Sequence, residues 1–221
     1  MALERWHHAS DGGGLAPRWR VACILGVAVV AGCAGGDDPT ADDAPAEPFT
    51  VRFETTKGPV DIEFVPEWSP LGAARVHELA EMGFWQGARI YRVNERYAQF
   101  GYSGTPALDS VWISAGLPDE PTRASNSRGT VSFARGGPGT RSAILFVNRS
   151  DNTNLDELPW NGVVGFPPVG RVVGGMEAID DFHDGYGDEP MQWEDSIAAV
   201  GNAFLDRAYP ALDSIGDVTI R

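Results

Sequence analysis

A chain of 221 residues, 43% of them hydrophobic, is long enough for one sizeable domain with accessories, or at most two small ones. Its 27 glycines and 16 prolines favour turns and short strands over long helices. The formal net charge of −14 argues against nucleic acid as a partner, because phosphate binding needs a basic surface.

In chain order, Arg18 and Arg20 precede an apolar run, VACILGVAVVAGC, over residues 21–33. It is too short to cross a bilayer and ends in small residues, the pattern of a secretory signal over residues 1–32. Its ending, VVAGC, resembles the lipobox of bacterial lipoproteins. That resemblance implies lipidation of Cys33 and a protein held to a membrane by its N-terminal lipid, on the periplasmic face or the cell surface. Cys23 would leave with the signal, so Cys33 would stand alone and no intramolecular disulfide is expected. Residues 33–48 continue as AGGDDPTADDAPAEP after the cysteine. This stretch is acidic, carries proline and lacks large apolar groups, as in a flexible linker.

The folded domain is expected over residues 49–221. In FTVRFET, Phe49, Val51 and Phe53 alternate; TKG reads as a turn; in PVDIEF, Val60, Ile62 and Phe64 alternate. Together they predict a β-hairpin. A helix follows, with Ser69 as N-cap, Pro70 at the first position and Gly83 as the stop. Leu71, Val76, Leu79 and Ala80 form its apolar stripe, and His77 reads as a surface residue. The short runs ARIYRV, GTVSFA, AILFVN, VVGFPPVGRVV and DVTI predict strands. A second helix is expected over residues 175–182, with Met176, Ile179 and Phe182 turned inward. Short strands separated by turns indicate a barrel or sandwich.

Several chemistries find no support. HExxH, CxxC and a histidine pair at ligand spacing are absent, so no metal is expected. DNTNLDEL at residues 151–158 begins like a calcium loop but lacks the glycine and glutamate that loop needs, and reads as a polar turn. GGPG at residues 136–139 lacks the Lys-Ser/Thr of a phosphate loop, and no GxSxG elbow occurs. The expected chemistry therefore uses no cofactor and no nucleophile. IYRVNERYAQFG, residues 90–101, stands out by placing Arg92 inside an apolar strand with Gln99 close behind.

The ordered series VRFETTKGPVDIEF, SPLGAARVHELAEMGFWQGARIYRV, AQFG, SNSRGTVSFARGGPGTRSAILFVN and LDEL…GFPPVGRVVGGMEAID resembles the cyclophilins, most closely the bacterial type. The resemblance runs from about Thr50 to Ile220. It implies a mainly β fold, a closed eight-stranded antiparallel barrel capped by two α-helices. It also implies a peptidyl-prolyl cis/trans isomerase acting on proline-containing polypeptides; a monomer is expected. Carried over residue by residue, the catalytic arginine corresponds to Arg92 in YRV, and the glutamine that orients it to Gln99 in AQFG. The walls of the proline pocket correspond to Phe146 in LFVN, Leu155 in NLDEL and Phe166 in GFPPVG. Ala134 in FARGGPGT corresponds to a backbone-contact position.

Three departures from the family pattern bear on the site. Where relatives commonly read RVIPGFMAQFG, this chain has RVNERYAQFG, one residue shorter, with Tyr97 as the candidate aromatic wall. Ile144 replaces a common glutamine. Asn154 stands where some eukaryotic members carry a tryptophan that contributes to cyclosporin binding, which predicts weak affinity for that drug. Two readings follow: an active isomerase for exported proteins, or a proline-peptide binding module with little or no turnover. The shortened segment decides between them.

Overall fold

The alternation of Phe49, Val51 and Phe53 against Val60, Ile62 and Phe64 produces the first hairpin. Strand β1 (Phe49–Thr55) pairs antiparallel with β2 (Gly58–Phe64), with Val51 opposite Ile62 and Phe53 opposite Val60. Those four side chains are all buried in the core. The computed structural model describes residues 45–221; the expected signal segment, Cys33 and most of the expected linker lie outside the described residues.

The remaining strands are β3 (Arg92–Val93), β4 (Tyr97–Phe100), β5 (Thr130–Phe133), β6 (Leu145–Asn148), β9 (Pro168–Gly174) and β10 (Ile215–Ile220). With β1 and β2 they form one eight-stranded antiparallel sheet in the order β10-β1-β2-β9-β5-β6-β4-β3. A short separate hairpin joins β7 (Pro159–Trp160) to β8 (Val163–Val164).

The sheet is an open half-barrel, which corrects the closed barrel that the resemblance implied. The physical reason lies at the two end strands, β3 and β10. Residues 88–93 were expected to be one strand, yet only Arg92 and Val93 pair in the sheet. The preceding residues meet the chain before β10 through an isolated bridge between Arg89 and Ser214. Backbone bonds from Ile90 N to Asp213 O and from Ile215 N to Ala88 O, both 2.9 Å, add to it. These contacts bring the edges together without a ladder.

Five α-helices are described, not the two expected: α1 (Pro70–Glu81), α2 (Pro106–Trp112), α3 (Met176–Asp180), α4 (Glu194–Val200) and α5 (Asn202–Ala208). Helix α1 buries Ala73, Val76, Leu79 and Ala80, while Leu71 is only half-buried. Pro70 begins the helix as expected, but Ser69 makes no side-chain cap. Instead Glu120, from a distant loop, accepts Leu71 N at 2.8 Å and Gly72 N at 3.2 Å, and also accepts a hydrogen bond from the Ser69 hydroxyl. A carboxylate is favourable there because it meets unpaired amides at the positive end of the helix. Helix α3 lies where the second helix was expected, with Ile179 and Phe182 buried.

Helices α4 and α5 build a second small core, in which Ile197, Leu205 and Tyr209 pack with Tyr91 and Tyr102. Tyr91 directly precedes β3, so this cluster reaches the strand that carries Arg92. Gly101, at the end of β4, has φ +149, and a Cβ there would lie 2.3 Å from Ile144 Cα. The glycine of AQFG thus lets β4 run tightly past the segment entering β6.

Candidate active-site groove

The shortened turn keeps its register. Arg92 pairs with Gln99 and Val93 with Ala98, and Asn94 N donates to Tyr97 O at 3.0 Å. Glu95 and Arg96 form the loop, and Asn94 Oδ1 accepts the Arg96 and Tyr97 amides at 2.8 and 2.9 Å. An asparagine side chain that closes a turn on its own backbone stabilises such short connections. The missing residue therefore shortens the turn and leaves the pairing intact.

Directly opposed residues share one face of an antiparallel pair, so their side chains meet. Arg92 Nη1 donates to Gln99 Oε1 at 3.1 Å, and Gln99 Nε2 donates to Tyr91 Oη at 2.7 Å. Arg92 can only donate, so its end fixes the orientation of the Gln99 amide. Gln99 is 2% exposed, and Met191 Sδ lies 3.6 Å from its nitrogen. On the other side, Arg92 Nε donates to Asp188 Oδ1 at 2.5 Å, and Asn94 Nδ2 donates to the same oxygen at 2.7 Å. The Arg92 guanidinium also sits 5.0 Å from the centre of the Tyr97 ring. Partial burial pushes the Asp188 carboxyl up, but the hydrogen bond and charge of Arg92, with help from Asn94, outweigh it and hold it below its ordinary value.

Beside this polar end lies an apolar one. Phe146 stands opposite Gln99 on the neighbouring strand and forms a buried cluster with Leu155 and Phe166. Tyr97, Ala134 and Leu158 pack against it. The Tyr97 and Phe146 rings are 5.3 Å apart and edge-on; Phe146 and Phe166 are 6.2 Å apart, also edge-on. Tyr97 therefore supplies an aromatic wall. Ala134 donates its N–H to Ile144 O at 2.9 Å, so that amide is already committed. Trp160, on the β7–β8 hairpin, extends the wall at the rim, 6.5 Å from Phe166 and 44% exposed.

Buried amides hold the apolar wall from below. Asn126 Nδ2 donates to Phe166 O and to Asp156 Oδ1, each at 2.8 Å. Asn126 Oδ1 accepts from the Ser132 hydroxyl at 2.9 Å and from Asn148 Nδ2 at 3.2 Å. Burial pushes the Asp156 carboxyl up, but hydrogen bonds from Ser125 and Asn126 hold it below its ordinary value. Asp151 Oδ1 accepts the Arg128 amide at 2.8 Å. The acidic stretch that began like a calcium loop thus spends these two carboxylates on the protein's own donors. Among the described residues, no group of three or more His, Cys, Asp or Glu side chains is arranged to hold a metal.

The seven residues expected at the site, Arg92, Tyr97, Gln99, Ala134, Phe146, Leu155 and Phe166, all line one groove of about 600 Å³. Ile144 lines it too. Asn154 lies on the surface, where its Oδ1 accepts Arg96 Nη2 at 2.8 Å. Sequence reasoning missed Asp188, Met191 and Glu194, which come to Arg92 from a distant helical segment, and also Tyr91, Arg135 and Trp160. Burial pushes the Glu194 carboxyl above its ordinary value, and the Arg92 charge and Tyr91 hydroxyl offset this only in part.

Residues 50–202 match the profile of the cyclophilin type peptidyl-prolyl cis-trans isomerase/CLD family. The chain belongs to this family. It is 24% identical over 132 residues to a peptidyl-prolyl cis-trans isomerase of Acinetobacter baylyi, covering 59% of this chain and 69% of the relative. A probable peptidyl-prolyl cis-trans isomerase of Brucella abortus is 28% identical over 149 residues, covering 62% and 72% respectively. Among solved structures, a cyclophilin type peptidyl-prolyl cis-trans isomerase of Cryptosporidium parvum shares the fold with a TM-score of 0.56. It is 17% identical and covers 79% of this chain and 98% of its own. The half-barrel and groove described above are thus a cyclophilin fold.

Proposed function

We propose that this cyclophilin isomerises X–Pro bonds of exported polypeptides, with Arg92 stabilising the twisted amide. The observation that carries the reading is the pairing of Arg92 with Gln99 beside the Phe146–Leu155–Phe166 cluster in one groove. The barrier to X–Pro rotation is amide resonance, roughly 20 kcal/mol, and no bond has to be broken. A catalyst need only bind the twisted amide better than either planar isomer. Apolar and aromatic walls hold the proline ring. The guanidinium donates to the substrate carbonyl and favours a lone pair localised on the prolyl nitrogen. Its charge is permanent, so no proton transfer is needed. Asp188 and Gln99 take Nε and one donor of Nη1, which leaves Nη2 for substrate. A structure of the Cryptosporidium protein in the presence of the dipeptide Ala-Pro fits the same substrate class.

The test is a protease-coupled assay on a proline peptide, with circular dichroism confirming folding. Turnover in the parent, reduced about a hundredfold in Arg92→Ala, is the expected outcome. A folded parent without turnover would favour the binding-module reading.

The N-terminal pattern supports export as a lipoprotein anchored through Cys33, with residues 1–32 removed. The corresponding check is mass spectrometry of the membrane fraction. Cys33→Ala should lose the lipid mass and leave that fraction.

A further inference from the structure

The groove carries a carboxylate that the reaction does not use. Glu194, the first residue of α4, lines it together with Tyr102, Ile113, Ile144 and Met191. Among the described residues it forms no salt bridge. The three arginines of the groove are bound elsewhere. Arg92 is held by Asp188 and Gln99, and Arg96 by Asn152 and Asn154. Arg135 is held by Asp119 at 3.1 Å and by Val164 O at 2.9 Å.

Gln99 donates to Tyr91 Oη at 2.7 Å, and α4, which begins at Glu194, packs its Ile197 against Tyr91 and Tyr102. Tyr91 is fully buried, so the helix that carries Glu194 rests on a fixed wall. A carboxylate accepts at both oxygens, and because Glu194 lines the groove that capacity faces it. Around it, the apolar side chains of Tyr102, Ile113, Ile144 and Met191 match the methylene stem of a long cationic residue, whose head would reach the carboxylate. A neutral or acidic side chain at the same place would leave Glu194 desolvated without compensation.

We propose that Glu194 makes the groove select prolyl peptides carrying a lysine or arginine side chain near the proline. This rests on the reading of the groove as a prolyl-peptide site. A half-exposed ion pair of roughly 1 kcal/mol corresponds to about fivefold in kcat/KM.

The experiment uses the full chain and peptides in which lysine, alanine or glutamate is placed at successive positions on either side of the proline. At one position the lysine peptide should exceed its alanine counterpart about fivefold in kcat/KM. Glu194→Gln should bring that ratio to about one, and Glu194→Lys should move the preference to the glutamate peptide. A parent with turnover but no lysine preference at any position overturns the inference and leaves the isomerase reading standing. A lysine preference that persists in Glu194→Gln also overturns it. If the parent turns over no peptide, calorimetric Kd values for the same set decide. A lysine preference lost in Glu194→Gln sustains the inference while the isomerase reading falls. Equal Kd values in the parent overturn both.

Discussion

At the Phe146–Phe166 end of the groove, position is set by burial: aromatic rings meet edge-on over a sealed layer of asparagine amides that are fully buried or nearly so. At the Arg92 end, position is set by charge. A guanidinium 24% exposed is held by an aspartate whose side chain is 62% exposed. The same groove thus combines a wall that moves only if the core loosens with a cation whose orientation depends on a wet ion pair. Exposed pairs contribute little to stability, whereas buried polar networks are costly to break. Substitutions at the two ends should therefore separate stability from turnover.

The largest effect is expected at the apolar end. Asn126→Ala leaves Ser132, Asn148, Asp156 and the Phe166 carbonyl short of a partner, and should cost about 3 kcal/mol by urea unfolding at unchanged m. Gly101→Ala sits between the two ends. With φ +149 and backbone 2.3 Å from the added carbon, it should cost roughly 2 kcal/mol on the same measurement. Asp188→Asn should leave the unfolding midpoint nearly unchanged yet lower kcat about threefold, because Arg92 loses its charged anchor. An unchanged kcat would remove Asp188 from any role in positioning.

The pH dependence carries a sign. The Asp188 carboxyl lies below its ordinary value, so its grip on Arg92 is complete above the unfolded-state value and is lost as pH falls through the folded one. In the parent, the acid loss of kcat from this pair should therefore appear only below about pH 4, and the Asp188→Asn variant should lack that component. The smallest effect concerns cyclosporin: calorimetry should give weak affinity, because Asn154 is spent on Arg96 and presents no indole. Tight binding would contradict this.

The first hairpin and the seven residues that line the groove were legible because their signals are local or ordered. Period-two alternation marked β1 and β2, and β4 carried Gln99 in a short recognisable stretch. The open sheet edge was not legible, since ARIYRV has strand character throughout and only its neighbours limit the pairing to Arg92 and Val93. Nor was the cap of α1: Ser69 had the right chemistry, but Glu120 reached the amides first.

What the sequence by itself determined is the hairpin, α1, α3, the cyclophilin family and the list of residues lining the groove, because each follows from nearby residues in a fixed order. Tertiary structure alone decided whether a turn one residue shorter still sets Arg92 opposite Gln99. It does so because Asn94 closes the turn on its own backbone. Tertiary structure alone also brought Asp188, Met191 and Glu194 to that arginine. Their approach depends on α4 and α5 packing against Tyr91 and Tyr102, a contact between segments about a hundred residues apart that no local pattern encodes.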